Sequence, residues 1–417
     1  IGVRYVALPF LAALFYATAW LLSSAEDERI YLRNVTLWVG SLFVALLVWL
    51  DVAPVWVAPV WMAFAIALSL AGRRLRIGTL AYQQHVLAVV VAVQLFSVNL
   101  FAAGARDRYL PILLCAAAFY AVSRFSTLKE AAYRRGIAWV HTCAATALLG
   151  ALAWHESPQA WLAPIWVGFA LALVFADRIF SVEELPWQAH ILALLAAIQA
   201  VTFNLFLEGK WRGIDLRLIT VTLIVCAFYL IARFVRLPES SSKSELRHIY
   251  TWAASGLAAW MIWSELQPVA VALGIAVFGL LLFEYGQWRE TRQIRFQGYV
   301  ALAAAFGRIF FVNLTATALP GDWLSPRIVS VAPLVLIYFW VWSRLQSAQE
   351  KPDRSGWQMR DLIAYLGTAT LAALLYYEIA TEWVVVAWAA LTLVLMLAAW
   401  LLKKDVFLEH AVLLTLC

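Results

Sequence analysis

An aromatic-x-acid step occurs four times in this sequence, as Trp49-x-Asp51, Trp154-x-Glu156, Trp263-x-Glu265 and Tyr376-x-Glu378. Carboxylates at the edge of an apolar run can accept a cation or a proton, and acids within membranes often mark ion pathways. The same placement fits wet helix ends in a headgroup layer, and the depth of the four acids favours that reading. Trp56, Trp61, Trp161, Trp166, Trp383 and Trp388 lie nearby, as an interfacial aromatic belt would have them.

Thirty-four residues after the acid stands His85, His190 or Tyr299, and His410 follows the last acid by thirty-two. A recurrent histidine is a candidate axial ligand for a tetrapyrrole or a metal. An interfacial ring making hydrogen bonds accounts for His and Tyr alike, and no second ligand recurs beside it, so no metal and no cofactor is expected. Forty-three residues after the acid comes Gln94, Gln199 or Arg308, and forty-eight after it Asn99, Asn204 or Asn313. Such amides ordinarily join helices, at about 1 kcal/mol each. Arg308 departs from its siblings: a full charge inside an apolar run must face protein or water and needs a counter-charge. Glu265, from the same repeat and the same end, is the expected ion-pair partner.

The elements that carry these residues are long apolar runs, at about 3–24, 34–50, 53–72, 80–104, 108–126, 136–155, 159–177, 186–207, 214–235, 248–265, 268–288, 294–316, 327–345, 361–380, 383–402 and 405–417. They read as fifteen full spans and part of a sixteenth, in an all-α, polytopic transmembrane helix array. The equal offsets define a four-helix unit of about 105–113 residues. On this reading, residues 1–32 hold the last helix of a preceding repeat. Residues 33–132, 133–246 and 247–358 are three whole repeats, and 359–417 is an incomplete fourth. The chain thus reads as a segment of a longer array. An even number of spans per unit makes the repeats parallel, unlike the inverted repeats of many carriers.

Composition agrees with a membrane protein. The 417 residues are 64% hydrophobic and 13% charged, with 22 Trp and a mean hydropathy of +0.81, whereas soluble domains are about 45–50% apolar and about 25% charged. The continuous runs lack the alternation of barrel strands. Of 31 Lys and Arg, 23 fall in loops after odd-numbered spans, which places those loops in the cytoplasm and the Trp-acid hairpins in the periplasm. Basic residues distributed in this way mark topology and give no support to nucleic-acid binding. Cys115, Cys143, Cys226 and Cys417 sit in apolar runs at unmatched spacings and are expected to pack in the core. Signatures of phosphate loops, dinucleotide folds, zinc proteases, serine hydrolases and CxxC sites are missing from the sequence, so no enzyme is expected.

The segment ALAAAFGRIFFVNLTATALPGDWLSPRIVSVAPLVLIYFWVWSRL, with its R-x-F-x-V-N-L step, short polar loop and following apolar helix, resembles a family of long, many-spanning bacterial membrane proteins of unknown function. The pattern recurs more weakly at Gln199–Phe228 and Gln94–Phe119. The resemblance implies a bacterial inner-membrane location and carries over no functional residue. Parallel units that touch mainly their neighbours point to a membrane scaffold. It would hold lipid, other membrane proteins or further copies of the repeat. The alternatives are a transporter or flippase of an amphipathic substrate, using Arg308 and the acids, and a ligand-binding subunit of a respiratory or photosynthetic complex, using the histidines.

Overall fold

Prolines and tight caps decide where the apolar runs turn. Val52 and Ala53 join α2 (Asp27–Asp51) to α3 (Pro54–Leu75), placing Pro54 in the first turn, where its missing N–H is no loss and its fixed φ suits a helix. Joints of the same length link α6 (Ala131–Glu156) to α7 (Gln159–Phe180), α10 (Lys243–Glu265) to α11 (Pro268–Trp288), and α14 (Met359–Glu378) to α15 (Thr381–Leu402). Pro158 caps α7 and Pro268 opens α11.

At their far ends α3, α7, α11 and α15 reverse through the left-handed residues Arg76, Ser181, Glu290 and Lys403, with φ of 57°, 54°, 53° and 53°. Such a residue costs about 1–2 kcal/mol. Hydrogen bonds back onto the helix offset it. The N–H groups of Ile77, Thr291 and Lys404 donate to the carbonyls of Gly72, Gly286 and Ala399, at 3.0, 2.9 and 3.1 Å.

This computed structural model describes residues 2–22, 27–124, 131–235, 243–315, 325–347 and 359–416. The unit boundary expected at 358 lies outside them. The remaining helices are α1 (Gly2–Leu21), α4 (Gly78–Gln94), α5 (Ala105–Arg124), α8 (Leu185–Thr202), α9 (Leu216–Phe234), α12 (Arg292–Arg308), α13 (Pro326–Ser347) and α16 (Asp405–Leu416). That makes sixteen α-helices among the described residues, one for each apolar run. A small hairpin between α8 and α9 pairs β1 (Lys210–Trp211) with β2 (Ile214–Asp215) through Arg212 and Gly213, both at positive φ. The apolar runs gave no sign of it.

Ten of the helices are long and apolar enough to cross a membrane, which makes the chain a multi-pass membrane protein. Among the described residues the six others, α1, α5, α10, α12, α14 and α16, fall short of that length or hydropathy. Arg292, Arg295 and Arg308 lower the hydropathy of α12, Arg106, Asp107 and Arg108 that of α5, and α16 has only 12 residues.

The chain divides into two compact bodies. The first comprises Ile1–Thr220 with Phe234–Pro238, and its core includes Val57, Trp61, Leu95, Ile112, Phe119 and Leu148. The second comprises Val221–Arg233 and Glu239–Cys417, with Phe283, Leu302, Ile309, Val331, Tyr338 and Ile363 in its core. In the second body α11 and α12 pack almost backbone to backbone. A Cβ on Gly298 would lie 2.8 Å from the Gly279 carbonyl oxygen and 2.9 Å from the Phe283 nitrogen, the close approach that small residues permit between membrane helices. Elsewhere large apolar side chains point outward, as Val385, Leu393, Val394 and Trp400 do on α15. Acyl chains solvate such a face; water does not.

Candidate functional site

The recurrent asparagines end their helices on unusual turns. Leu95–Asn99 and Ile309–Asn313 are single π-turns, and Asn204 opens a short 3₁₀ segment. In the two π-turns Leu100 and Leu314 donate to the carbonyls of Leu95 and Ile309 at 2.9 Å, widening the helix where the side chain must turn inward. All three asparagines are fully buried. The side-chain amides of Asn99, Asn204 and Asn313 donate to the carbonyls of Val55, Ala160 and Val269, at 2.7, 2.8 and 2.6 Å. The acceptor lies 44 residues back each time, in the first turn of the preceding helix, where a proline or a short joint has fixed the chain. Gln94 makes a longer contact of the same kind to the Pro54 carbonyl, 3.4 Å, while Gln199 remains half-buried on α8.

A second set of amides lies near the start of α4, α8 and α12. Ser41, Thr146 and Ser255 donate to Gln83, Gln188 and Gln297, at 2.7, 2.5 and 2.7 Å. Tyr16, Tyr120 and Tyr229 each bond the same hydroxyl, at 2.7 Å. Gln188 and Gln297 donate onward to Thr142 and Thr251, at 2.8 and 2.9 Å. Three helices are thereby joined by a tyrosine, a hydroxyl and a glutamine. Three tryptophans add a further tie: Trp61, Trp166 and Trp388 donate to the carbonyls of Ala45, Gly150 and Ala372, each sixteen residues back across its hairpin.

The histidines divide. His410 is buried and its Nδ1 lies 2.9 Å from the Thr368 hydroxyl, 42 residues back. That is the spacing of Ser41 to Gln83, Thr146 to Gln188 and Ser255 to Gln297. His410 thus occupies the glutamine place, not the place of His85, His190 and Tyr299 with which its type associates it. His85 pairs with the buried His141, Nδ1 to Nε2 at 3.0 Å. His190 stands edge-on to Trp187, and Tyr299 lies beside Phe283. Among the described residues no three His, Cys, Asp or Glu side chains gather as a metal site.

Two of the acids are visibly engaged in staples between helices. Glu156 accepts from Tyr109 at 2.8 Å and pairs with Arg108, tying α6 to α5. Glu378 accepts from Ser325 at 2.7 Å, and Arg327 bonds the neighbouring Tyr377 carbonyl, tying α14 to α13. Asp51 and Glu265 end α2 and α10. Arg308 has a contact with Trp263 that its spacing from Glu265 did not suggest. Its guanidinium lies over that indole, 4.0 Å from the ring centroid, a cation–π contact that a desolvated site strengthens. Cys226 is exposed on the outer face of α9, unlike the buried Cys115, and Cys417 lies outside the described residues.

Comparison with protein-family models, curated proteins and solved structures finds no match to this chain. The chemistry visible in the arrangement is adhesive. Hydroxyls, amides, indoles and two carboxylates bond across neighbouring helices.

Proposed function

We propose that this protein is a scaffold of the bacterial inner membrane, built from tandem four-helix units, which holds lipid, other membrane proteins or further copies of its repeat. Its basic loops face the cytoplasm and its Trp-acid hairpins the periplasm. The observation that carries the reading is the fate of the recurrent polar residues. Asn99, Asn204 and Asn313 all close the same 44-residue bond, and the glutamines the same hydroxyl bond. A transport route requires polar groups that face a passage and exchange partners. Here they face neighbouring helices.

Arg308 is the discriminating position, because a transporter would hold it in a wet groove. An Arg308→Cys variant, with the native cysteines replaced, is reconstituted in nanodiscs and exposed to a charged maleimide. The scaffold reading expects labelling at least about tenfold slower than at a cysteine in a polar loop, the thiol being desolvated. Labelling at the loop rate overturns it.

A further inference from the structure

The second body contains a cavity of about 680 Å³ at the basic end of α9, α10 and α11, with Arg233, Arg247 and Arg289 at its mouth. Its wall is formed by Phe278, Leu281, Leu282 and Ile294, and Tyr229 and Thr251 add hydroxyls. A cluster of guanidiniums above an apolar cleft matches an amphipathic anion. We propose that this cavity binds one anionic phospholipid, its phosphate held by the three arginines and an acyl chain along the apolar wall.

The preceding repeat shows what the same place looks like without that role. One unit earlier, 109 residues back, Arg233 corresponds to Arg124, Arg247 to Ala138 and Arg289 to Phe180. Arg124 there has its own counter-ion, Glu184, at 3.9 Å. The residue that corresponds to Glu184 is Gln293. Between the two copies the internal acid has gone and two arginines have been added. Glu245 and Glu290 stand close in sequence to Arg247 and Arg289, yet no ion pair joins any of the three arginines to a described acid. Arg289 rests against the Trp288 ring instead, at 5.3 Å. Guanidinium forks suit phosphate oxygens, and a basic residue at the membrane surface adds about 1 kcal/mol toward an anionic lipid, about fivefold in affinity. The apolar wall distinguishes a lipid from a free anion, since inorganic phosphate has nothing to place there.

The test titrates the detergent-solubilised full chain with dioleoylphosphatidylglycerol, dioleoylphosphatidylcholine or inorganic phosphate, reading thermal stability and native mass spectra. The anionic lipid is expected to bind most tightly and to raise the melting temperature. The double variant Arg247→Ala/Arg289→Phe, which installs the preceding copy's residues, should weaken that binding about 30-fold. Gln293→Glu, which restores the internal acid, should weaken it in a chain that keeps all three arginines, and decides the matter if the double variant does not fold. Equal binding of both lipids overturns the proposal, as does unchanged binding in the variants. Stabilisation by inorganic phosphate equal to that by the lipid makes this an anion site and overturns it too.

Discussion

Ser255 donates to the side-chain carbonyl of Gln297 at 2.7 Å, across 42 residues of sequence, while Gln297 itself donates to Thr251 at 2.9 Å. Both partners lie on α10, one helical turn apart, so a single amide grips two steps of the same helix. Substituting Gln297→Leu removes both bonds, while Ser255 keeps Tyr229 and Thr251 keeps its bond to the His248 carbonyl. Polar contacts between membrane helices contribute about 0.6 kcal/mol on average and up to about 1.7. A destabilisation of about 1–2 kcal/mol is expected, measured by reversible unfolding in mixed micelles, and a neutral result would remove this contact from the account.

His410 in the glutamine place makes an unusual forecast. His410→Gln should fold as well as the native chain, because Gln83, Gln188 and Gln297 already meet a hydroxyl at that spacing. His410→Leu strands the Thr368 hydroxyl and should cost about 1 kcal/mol. A ligand role for this histidine would reverse the order, leaving His410→Gln the more damaging change wherever the ligand is bound. Melting temperatures of the two variants, side by side in detergent and in native membranes, separate the cases.

At Gly298 the expectation is steric. A methyl group would meet backbone atoms of α11 at 2.8 and 2.9 Å, and backbone cannot rotate away as a side chain can. Gly298→Ala should cost about 1–3 kcal/mol through overpacking, and Gly298→Leu should prevent α11 and α12 from closing. Cysteine cross-linking between the two helices reports the separation directly.

Arg308→Gln installs the residue type found at the equivalent offsets, Gln94 and Gln199, and withdraws a charge from a half-buried place. Replacing a partly desolvated charge by a neutral group is often neutral or stabilising, so this variant should melt at or above the native temperature. Trp263→Leu, in contrast, leaves the guanidinium without its ring and should melt lower, by about 0.5–1 kcal/mol of stability, since the indole is half exposed.

Much of this arrangement was legible in the sequence because a membrane helix advertises itself by its oil and because polar residues within it are few. The offsets that mark Asn99, Asn204 and Asn313 set them apart as one group, and the three make the same bond. Their acceptors were invisible, since a backbone carbonyl belongs to every residue type. The glutamines at 83, 188 and 297 escaped notice for a related reason: their partners alternate between serine and threonine, and the histidine two residues on draws the eye. The contact of Arg308 with Trp263 was not legible, because an indole face carries no charge to announce it. The basic cavity of the second body could not be read from one copy. It emerged only when Arg233 was set beside Arg124, and Gln293 beside Glu184.

The short reach of these ties has a consequence for biogenesis. The amide bonds span 40 to 46 residues, the indole bonds sixteen, and the tyrosine–hydroxyl bonds 25 or 26. Each tie can close as soon as about fifty residues have left the ribosome, long before the final helix is made. Such a chain is fastened progressively, in the order of its synthesis, and a fault in one stretch need not wait for, or spread to, the stretches that follow.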